Sequence, residues 1–437
     1  MPNKLSVARR TQITFALSAI AAAIAAPSAA LAAACDMPAP ATMVEIPVIA
    51  FRYAPAEFMA GEMKKCQELK TLRFDAKLVS YGQLMEQNNL LIQSGGQSSY
   101  EVMHTNTNRL AELVNKGAIK PVDALYTKYS ARYALNDFVP SVMKPLTFDG
   151  KVYGIPFAAN SMILHYRKDL FEKYGIATPK TTDELLVAAE KLSKASEIKY
   201  PVALQMGGAA VTAGTFNIAL NSQGGKWFAA NGQPAFNSPE GAKAIVFLRR
   251  LLAFAPPAIM TMSGEDVVVQ LQQGQLGMTN IWATRGPSLI DPKQSRVADK
   301  IAFAKSPMGP GGIFGQSIVD LWVFPKDSKN SETAFQLVSE SIDKESMKSS
   351  ASLFMPARNS ILSDPKITGS IPWLAAASES IAVAEALPNV PYMGAVLEAA
   401  GAVINKQLMD KSVTPEKMLA EADDAVRKIM KEQGVLK

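Results

Sequence analysis

"MVEIPVIAF", residues 43–51, is a β-rich apolar run, and "EFMAGEMKKCQELK" (57–70) follows it with Phe58, Met59, Met63 and Leu69 near one helical face. The strand-then-helix unit recurs at once. "AKLVSYG" (76–82) is predicted as a second strand, "QLMEQNNLLIQSGG" (83–96) as a helix closed at Gly95, and "YEVMHTN" (100–106) as a third strand ending in polar residues. Such alternation places the chain in the α/β class, with a largely parallel sheet flanked by helices on both faces. Ligands of these sheets bind beyond the carboxyl ends of the strands, so the residues that follow strands are the first functional candidates.

The later chain is punctuated in the same way. Thr181-Thr182-Asp183-Glu184 forms a capping box before "ELLVAAEKLSKA", Ser238-Pro239 supplies an N-cap and an N1 proline before "GAKAIVFLRRLLAF", and Thr414-Pro415 opens the final helix. "QLGMTNIW" (275–282) is predicted as a strand. In "SPMGPGGIFGQS" (306–317), five glycines and prolines within eight residues mark a boundary or a ligand-facing loop. There is no internal repeat.

At 437 residues, 48% hydrophobic and 19% charged, the chain has a globular composition and the length of two domains, because single cores stop growing at roughly 250–300 residues. Lys4, Arg9 and Arg10, an Ala-rich apolar run from about Ile13, and the small residues ending at Ala34 are predicted to form a cleavable export signal over 1–34. The alternative is a membrane anchor, which Pro27 interrupts. Cleavage removes three positive charges and no acid, so the net charge falls from +6 to about +3. The remaining lysines and acids alternate, as in "AEADDAVRKIMKE" (420–432), which describes a solvated surface and argues against nucleic acid as a partner. Cys35 and Cys66 are the only cysteines, and in an exported chain the pair is read as a disulfide; lipidation of Cys35 is the rival.

"DGKVYGIPFAANSMILHYRKDLFEKYGIATPKTTDEL" (149–185) resembles the family 1 extracellular solute-binding proteins of carbohydrate ABC importers, the maltose-binding-protein-like group. "LVNKGAIKPVDAL" (113–125), "GQLGMTNIW" (274–282), "LWVFPKDSKNSETAFQLV" (321–338) and "FMPARNSILSDP" (354–365) extend the resemblance in family order over nearly the whole mature chain. The resemblance implies a two-lobed, type II-like periplasmic binding protein, with hinge closure on a ligand held between the lobes. Each lobe would be a mainly parallel sheet flanked by helices. The implied lobes are 36–157 plus 306–353 and 159–304 plus 356–437, with crossings near 157–160, 304–308 and 354–358. The implied function is monomeric capture of a carbohydrate in the periplasm, without a cofactor, and delivery to the permease subunits of an ABC transporter.

A carbohydrate cleft mixes polar side chains for hydroxyl edges with aromatic rings for C–H faces. Arg52 and Tyr53 follow the first strand and Tyr81 the second, although Tyr81 also fits a packing role. Asn106 and Asn108 end the third strand, where an N-cap explains one of them equally well. Asn160 falls where maltose-binding protein has a glutamate that meets sugar hydroxyls, and Phe216 and Asn217 fall near its stacking tryptophan. Trp282 and Arg285 follow "LGMTNI" and pair a ring with a guanidinium. Gly311, Gly312, Gly315 and Gln316 are candidates for backbone approach to the ligand, and Arg358 and Tyr392 complete the set.

His104 and His165 are the only histidines and are read as structural. No C-x-x-C, H-E-x-x-H, G-x-x-x-x-G-K or G-x-S-x-G is present, which disfavours an enzyme. Two alternatives stand beside the carbohydrate reading: an anionic sugar derivative held by Arg52, Arg285 or Arg358, and a periplasmic hydrolase.

Overall fold

The computed structural model describes residues 35–436, so the expected export signal lies outside the described residues. Among the described residues no helix is long and apolar enough to cross a membrane. The first three strands are β1 (Val44–Phe51), β2 (Leu72–Val79) and β3 (Val102–Asn106); β1 lies between the other two and is parallel to both. Helices Ala54–Met63 and Tyr81–Gln93 make the crossovers that parallel neighbours require. A short hairpin, β4 (Thr147–Phe148) and β5 (Lys151–Val152), then leads into β6 (Ile155–Arg167). The remaining strands are β7 (Tyr200–Ala203), β8 (Leu276–Trp282), β9 (Ile301–Lys305) and β10 (Ser317–Val323).

The strand order is β2-β1-β3-β10-β6-β8-β7, with β9 also on β6. β6 makes this order possible. At about 3.3 Å per residue its thirteen residues extend roughly 43 Å, longer than an ordinary strand. Its first half pairs antiparallel with β10 as far as Ser161, and from Met162 onward it pairs antiparallel with β8 and with β9. β7 joins β8 in parallel. Only Asn160 and Tyr166 of β6 are partly exposed, and the near-continuous apolar run is what a strand buried on both faces needs.

The buried residues form two cores. The first gathers Met37 to Ile163 with Ala283 and Val319 to Ile381; the second gathers Met162 to Phe314 with Leu387 to Met430. Residues Met355 to Ile381 thus contribute their buried side chains to the first core. The helix Pro372–Ile381 lies against β6 and β9, where buried hydroxyls tie the passing segments together. Ser161 Oγ donates to Ala377 O at 3.1 Å, Ser306 N–H to Ser380 Oγ at 3.1 Å, and Ser306 Oγ to Asn280 Oδ1 at 2.7 Å.

In the second core the helices Ala209–Ser222 and Met393–Gln407 cross closely enough that a Cβ on Gly401 would lie 1.9 Å from Ala209 O. Gly401→Ala therefore forces the helices apart. Such overpacking is expected to cost about 1–3 kcal/mol, read as a lower urea midpoint at unchanged slope.

Candidate ligand-binding site

Where β6 passes from the first core to the second, the ends of several strands enclose a cavity of about 200 Å³. Tyr53, Ala54 and Pro55 follow β1, Ala158 to Asn160 come from β6, Thr284 and Arg285 follow β8, Asp320 comes from β10, and Leu353 and Phe354 close it. The placement follows from the sheet. β3 and β6 flank β10, so Asp320 sits opposite Asn106 on one side and Ala158 on the other.

The polar groups are held with defined roles. His104, buried on β3, accepts from the Phe51 N–H at Nδ1 (3.3 Å), which leaves Nε2–H to donate to Asp320 Oδ1 at 3.0 Å. The Tyr53 ring stacks on the His104 ring at 5.7 Å between centroids and on Phe51 at 4.9 Å. Burial first, and the adjacent Asp320 carboxyl second, hold the Tyr53 phenol well above its ordinary pKa. It is therefore a neutral donor, its buried hydroxyl facing the Asp320 carboxylate. Asn160 ties β6 to the turn after β8: its Nδ2 donates to Thr284 Oγ1 at 3.0 Å and its Oδ1 accepts from Thr284 N–H at 3.4 Å. The cavity thus offers one buried donor, one carboxylate acceptor, an amide–hydroxyl pair and two aromatic walls.

Of the residues expected at the ligand, Tyr53, Asn160 and Arg285 line this cavity. Arg285 is ion-paired with Glu265 and 40% exposed. Arg52 is exposed, donating to Leu78 O at 3.1 Å with Glu57 at 3.9 Å. Tyr81 is exposed and meets Phe51 edge-on at 5.5 Å. Asn106 is the N-cap of helix Thr107–Asn115, its Oδ1 accepting from Asn108 N–H at 3.1 Å, and Asn108 is exposed on the first turn. Trp282 ends β8 half-buried against the second core.

Other candidates are built into the interior. Phe216 is fully buried, edge-on to Trp227 at 5.6 Å and to Phe236 at 6.2 Å. Asn217 is consumed by a buried chain in which Trp227 Nε1–H donates to its Oδ1 at 2.8 Å and its Nδ2 donates to Gln316 Oε1 at 3.1 Å. The structure thereby places Phe216 and Asn217 in the interior, with both polar atoms of Asn217 engaged and Gln316 bonded to it through Oε1. Arg358 is likewise internal: fully buried, it donates to the carbonyls of Tyr133, Ala134 and Ile342 at 2.6–2.9 Å. Gly311, Gly312 and Gly315 line a separate cavity of about 410 Å³ with Trp227, Phe228, Val383, Glu385 and Pro388. There a Cβ on Gly311 would lie 2.0 Å from Gly224 N, so that glycine serves loop packing. Tyr392 meets Phe228 edge-on at 5.6 Å, and partial burial raises its pKa. None of the lining side chains of the larger cavity is a buried polar group lacking a partner, whereas the smaller one sets the buried Tyr53 hydroxyl beside the Asp320 carboxylate.

Two polar lining residues were missed at the level of sequence. Asp320 is a lone acid inside the apolar run "SIVDLWVF", a signal that was there to be read; Thr284 carries no comparable mark. His165 is fully buried on β6, where burial pushes its pKa down to about 3 and keeps the ring neutral at physiological pH. The two cysteines are bonded to each other, with Cα atoms 4.9 Å apart.

Comparison with known proteins agrees with this architecture. Residues 72–348 match the model of the bacterial extracellular solute-binding protein family, more than half of the chain. A mannitol-binding protein of Pseudomonas aeruginosa is 30% identical over 196 residues, 44% of this chain and 44% of that relative. A putative binding protein of Brucella abortus is 27% identical over 287 residues, 63% of this chain and 66% of that relative. The match thus spans under half of the first relative and about two thirds of the second. An Agrobacterium vitis ABC transporter solute-binding protein crystallised with D-mannitol superposes with a TM-score of 0.74 at 23% identity, covering 89% of this chain and 99% of that one. Maltose-bound T. maritima MalE3 superposes with a TM-score of 0.75 at 20% identity, covering 88% and 99%. The matched family and these relatives are binding proteins by name. With its family model matched over most of its length and its strands laid out in the same fold, the chain belongs to the bacterial extracellular solute-binding protein family.

Proposed function

We propose that the protein captures a small polyol or sugar in the cavity beside β6 and delivers it, chemically unchanged, to the permease of an ABC importer. The observation that carries this reading is the combination of the buried Tyr53 hydroxyl with the Asp320 carboxylate it faces and the Asn160–Thr284 pair in one cavity. A hydroxyl both donates and accepts, so a polyhydroxylated ligand satisfies that set where an apolar one leaves it bare. The mannitol-binding relative and the D-mannitol and ribitol complexes among the structural neighbours support the same class.

Capture works by closure of two lobes. We assign one lobe to residues 35–159 with 319–381 and the other to 162–314 with 387–436, following the two cores, so that the chain crosses at 160–161, 315–318 and 382–386. Ligand bridging the lobes selects the closed form, and the permease reads occupancy from it. The basic and then apolar character of residues 1–34 supports export to the periplasm, and the mixed surface charge supports a monomer that works without nucleic acid.

A thermal-shift screen of the processed protein against polyols, neutral sugars, sugar acids and phosphorylated sugars tests this. A ligand at 100-fold its Kd is expected to add about 2.7 kcal/mol of stability. The reading fails if no polyol or sugar raises Tm, or if the ligand is recovered altered.

A further inference from the structure

Asp320 differs from the other charged groups around the cavity in having no cation to balance it. Its side chain is 19% exposed, and His104 Nε2–H, at 3.0 Å, is its hydrogen-bonding partner. The other charged lining group, Arg285, is already paired with Glu265. A carboxylate has roughly four lone-pair directions, and His104 uses one of them. The buried Tyr53 hydroxyl stands beside it, with Asp320 as the acceptor it faces. An acceptor and a donor side by side match one alcohol group, which gives its proton to Asp320 and takes one from Tyr53. A carboxylate or phosphate oxygen has no proton to give and brings a second negative charge to the same small space.

We infer that Asp320 is the specificity-determining residue of this site, selecting an uncharged polyhydroxyl ligand over the acidic derivative of the same carbon chain. The inference rests on the proposed function and adds to it the charge of the ligand. His104 acts as a positioning residue: with Nδ1 occupied by the Phe51 N–H, its single proton points at Asp320 and fixes the carboxylate toward the cavity. Sites that hydrogen-bond a hydroxyl reject partners that leave a buried polar group unmatched, by factors that reach 10⁴ or more.

The test is isothermal titration of the wild-type protein, Asp320→Asn and Tyr53→Phe with D-mannitol and with D-mannonate, with the Tm of each free protein measured alongside. Wild type is expected to bind D-mannitol at least 100-fold more tightly than D-mannonate. Asp320→Asn, which keeps the shape of the side chain, is expected to lose tenfold or more in D-mannitol affinity and to reduce the preference over D-mannonate by tenfold or more. Tyr53→Phe is expected to weaken D-mannitol binding three- to tenfold and leave the charge preference in place. If Asp320→Asn lowers the Tm of the free protein, the wild-type preference decides alone. Equal binding of the two probes by wild type overturns the inference, as does a preference that survives Asp320→Asn; both outcomes leave the proposed function standing. Failure of the wild-type protein to bind any polyol or sugar of the screen overturns the proposed function, and this inference with it.

Discussion

Arg358→Met is expected to lower the unfolding free energy by about 3–5 kcal/mol, the range for breaking a buried charged pair by removing one partner. The guanidinium is fully buried and every arm is engaged. Nε and Nη2 donate to Ile342 O at 2.9 and 2.6 Å, Nη2 to Tyr133 O at 2.8 Å and Nη1 to Ala134 O at 2.8 Å. Asp137 lies 3.8 Å away, and the Phe138 ring sits 5.0 Å under the cation. Methionine fills part of the volume but leaves the Tyr133 and Ile342 carbonyls without donors, Ala134 O with the Asp137 N–H alone, and Asp137 without its counter-charge. It also removes one of the two donors to the carbonyl of Ala134, a non-glycine residue at φ 46° that ends the helix Asp123–Tyr133 in the left-handed region. Urea unfolding checks the expectation: the midpoint should fall with the slope unchanged. A loss below about 1 kcal/mol would mean that water replaces the guanidinium at no cost, which contradicts its burial. Arg358→Lys should recover only part of the loss, because one ammonium cannot span four acceptors with fixed geometry.

The same residue shows where sequence reading runs out. "FMPARNSILSDP" identified the segment, but an arginine is by default a surface or ligand-facing residue, and its local neighbours gave no sign that a turn more than two hundred positions earlier would surround it with carbonyls. Local signals were legible to the residue. Thr181 and Glu184 form both halves of the capping box, Ser238 Oγ accepts from Gly241 N–H at 3.1 Å, and Thr414 Oγ1 accepts from Lys417 N–H at 3.2 Å. Each is decided within one helical turn. The alternation of strands and helices was legible for the same reason, since periodicity is a local property.

The cavity depends on non-local pairing. Tyr53 and Asn160 were found because they follow a strand end or lie on a crossing segment. Asp320 is marked in the sequence as a lone acid in an apolar run, but its place in the cavity follows from β10 lying between β3 and β6, which no spacing in the chain reveals. Phe216 and Asn217 differ in the opposite direction: position relative to a known fold suggested the ligand, while Phe216 is fully buried and both polar atoms of Asn217 are engaged by Trp227 and Gln316.

Cys35→Ala is expected to cost about 2–4 kcal/mol, and reduction of the native protein should reproduce the loss. The bond closes a loop between residues 31 positions apart, for which loop entropy alone amounts to about 3.7 kcal/mol at 25 °C. The loop contains β1, the strand with partners on both sides that delivers Tyr53 to the cavity. Cys66 is fully buried in the first core, so its thiol in the variant remains packed as a small apolar group, and the cost falls mainly on the unfolded chain. A second tie holds the same end: Asp36 N–H donates to Glu340 Oε2 at 2.9 Å, which retains the native course of the N-terminus when the sulfur bridge is absent. Ligand affinity should therefore change less than threefold while the urea midpoint drops. The decisive comparison is wild type with and without reductant beside Cys35→Ala with and without reductant. Only the wild type should respond, and its oxidised intact mass should lie two hydrogens below the reduced one; a wild type indifferent to reductant, or carrying the added mass of a diacylglycerol on Cys35, would remove the bridge and with it the restraint on β1.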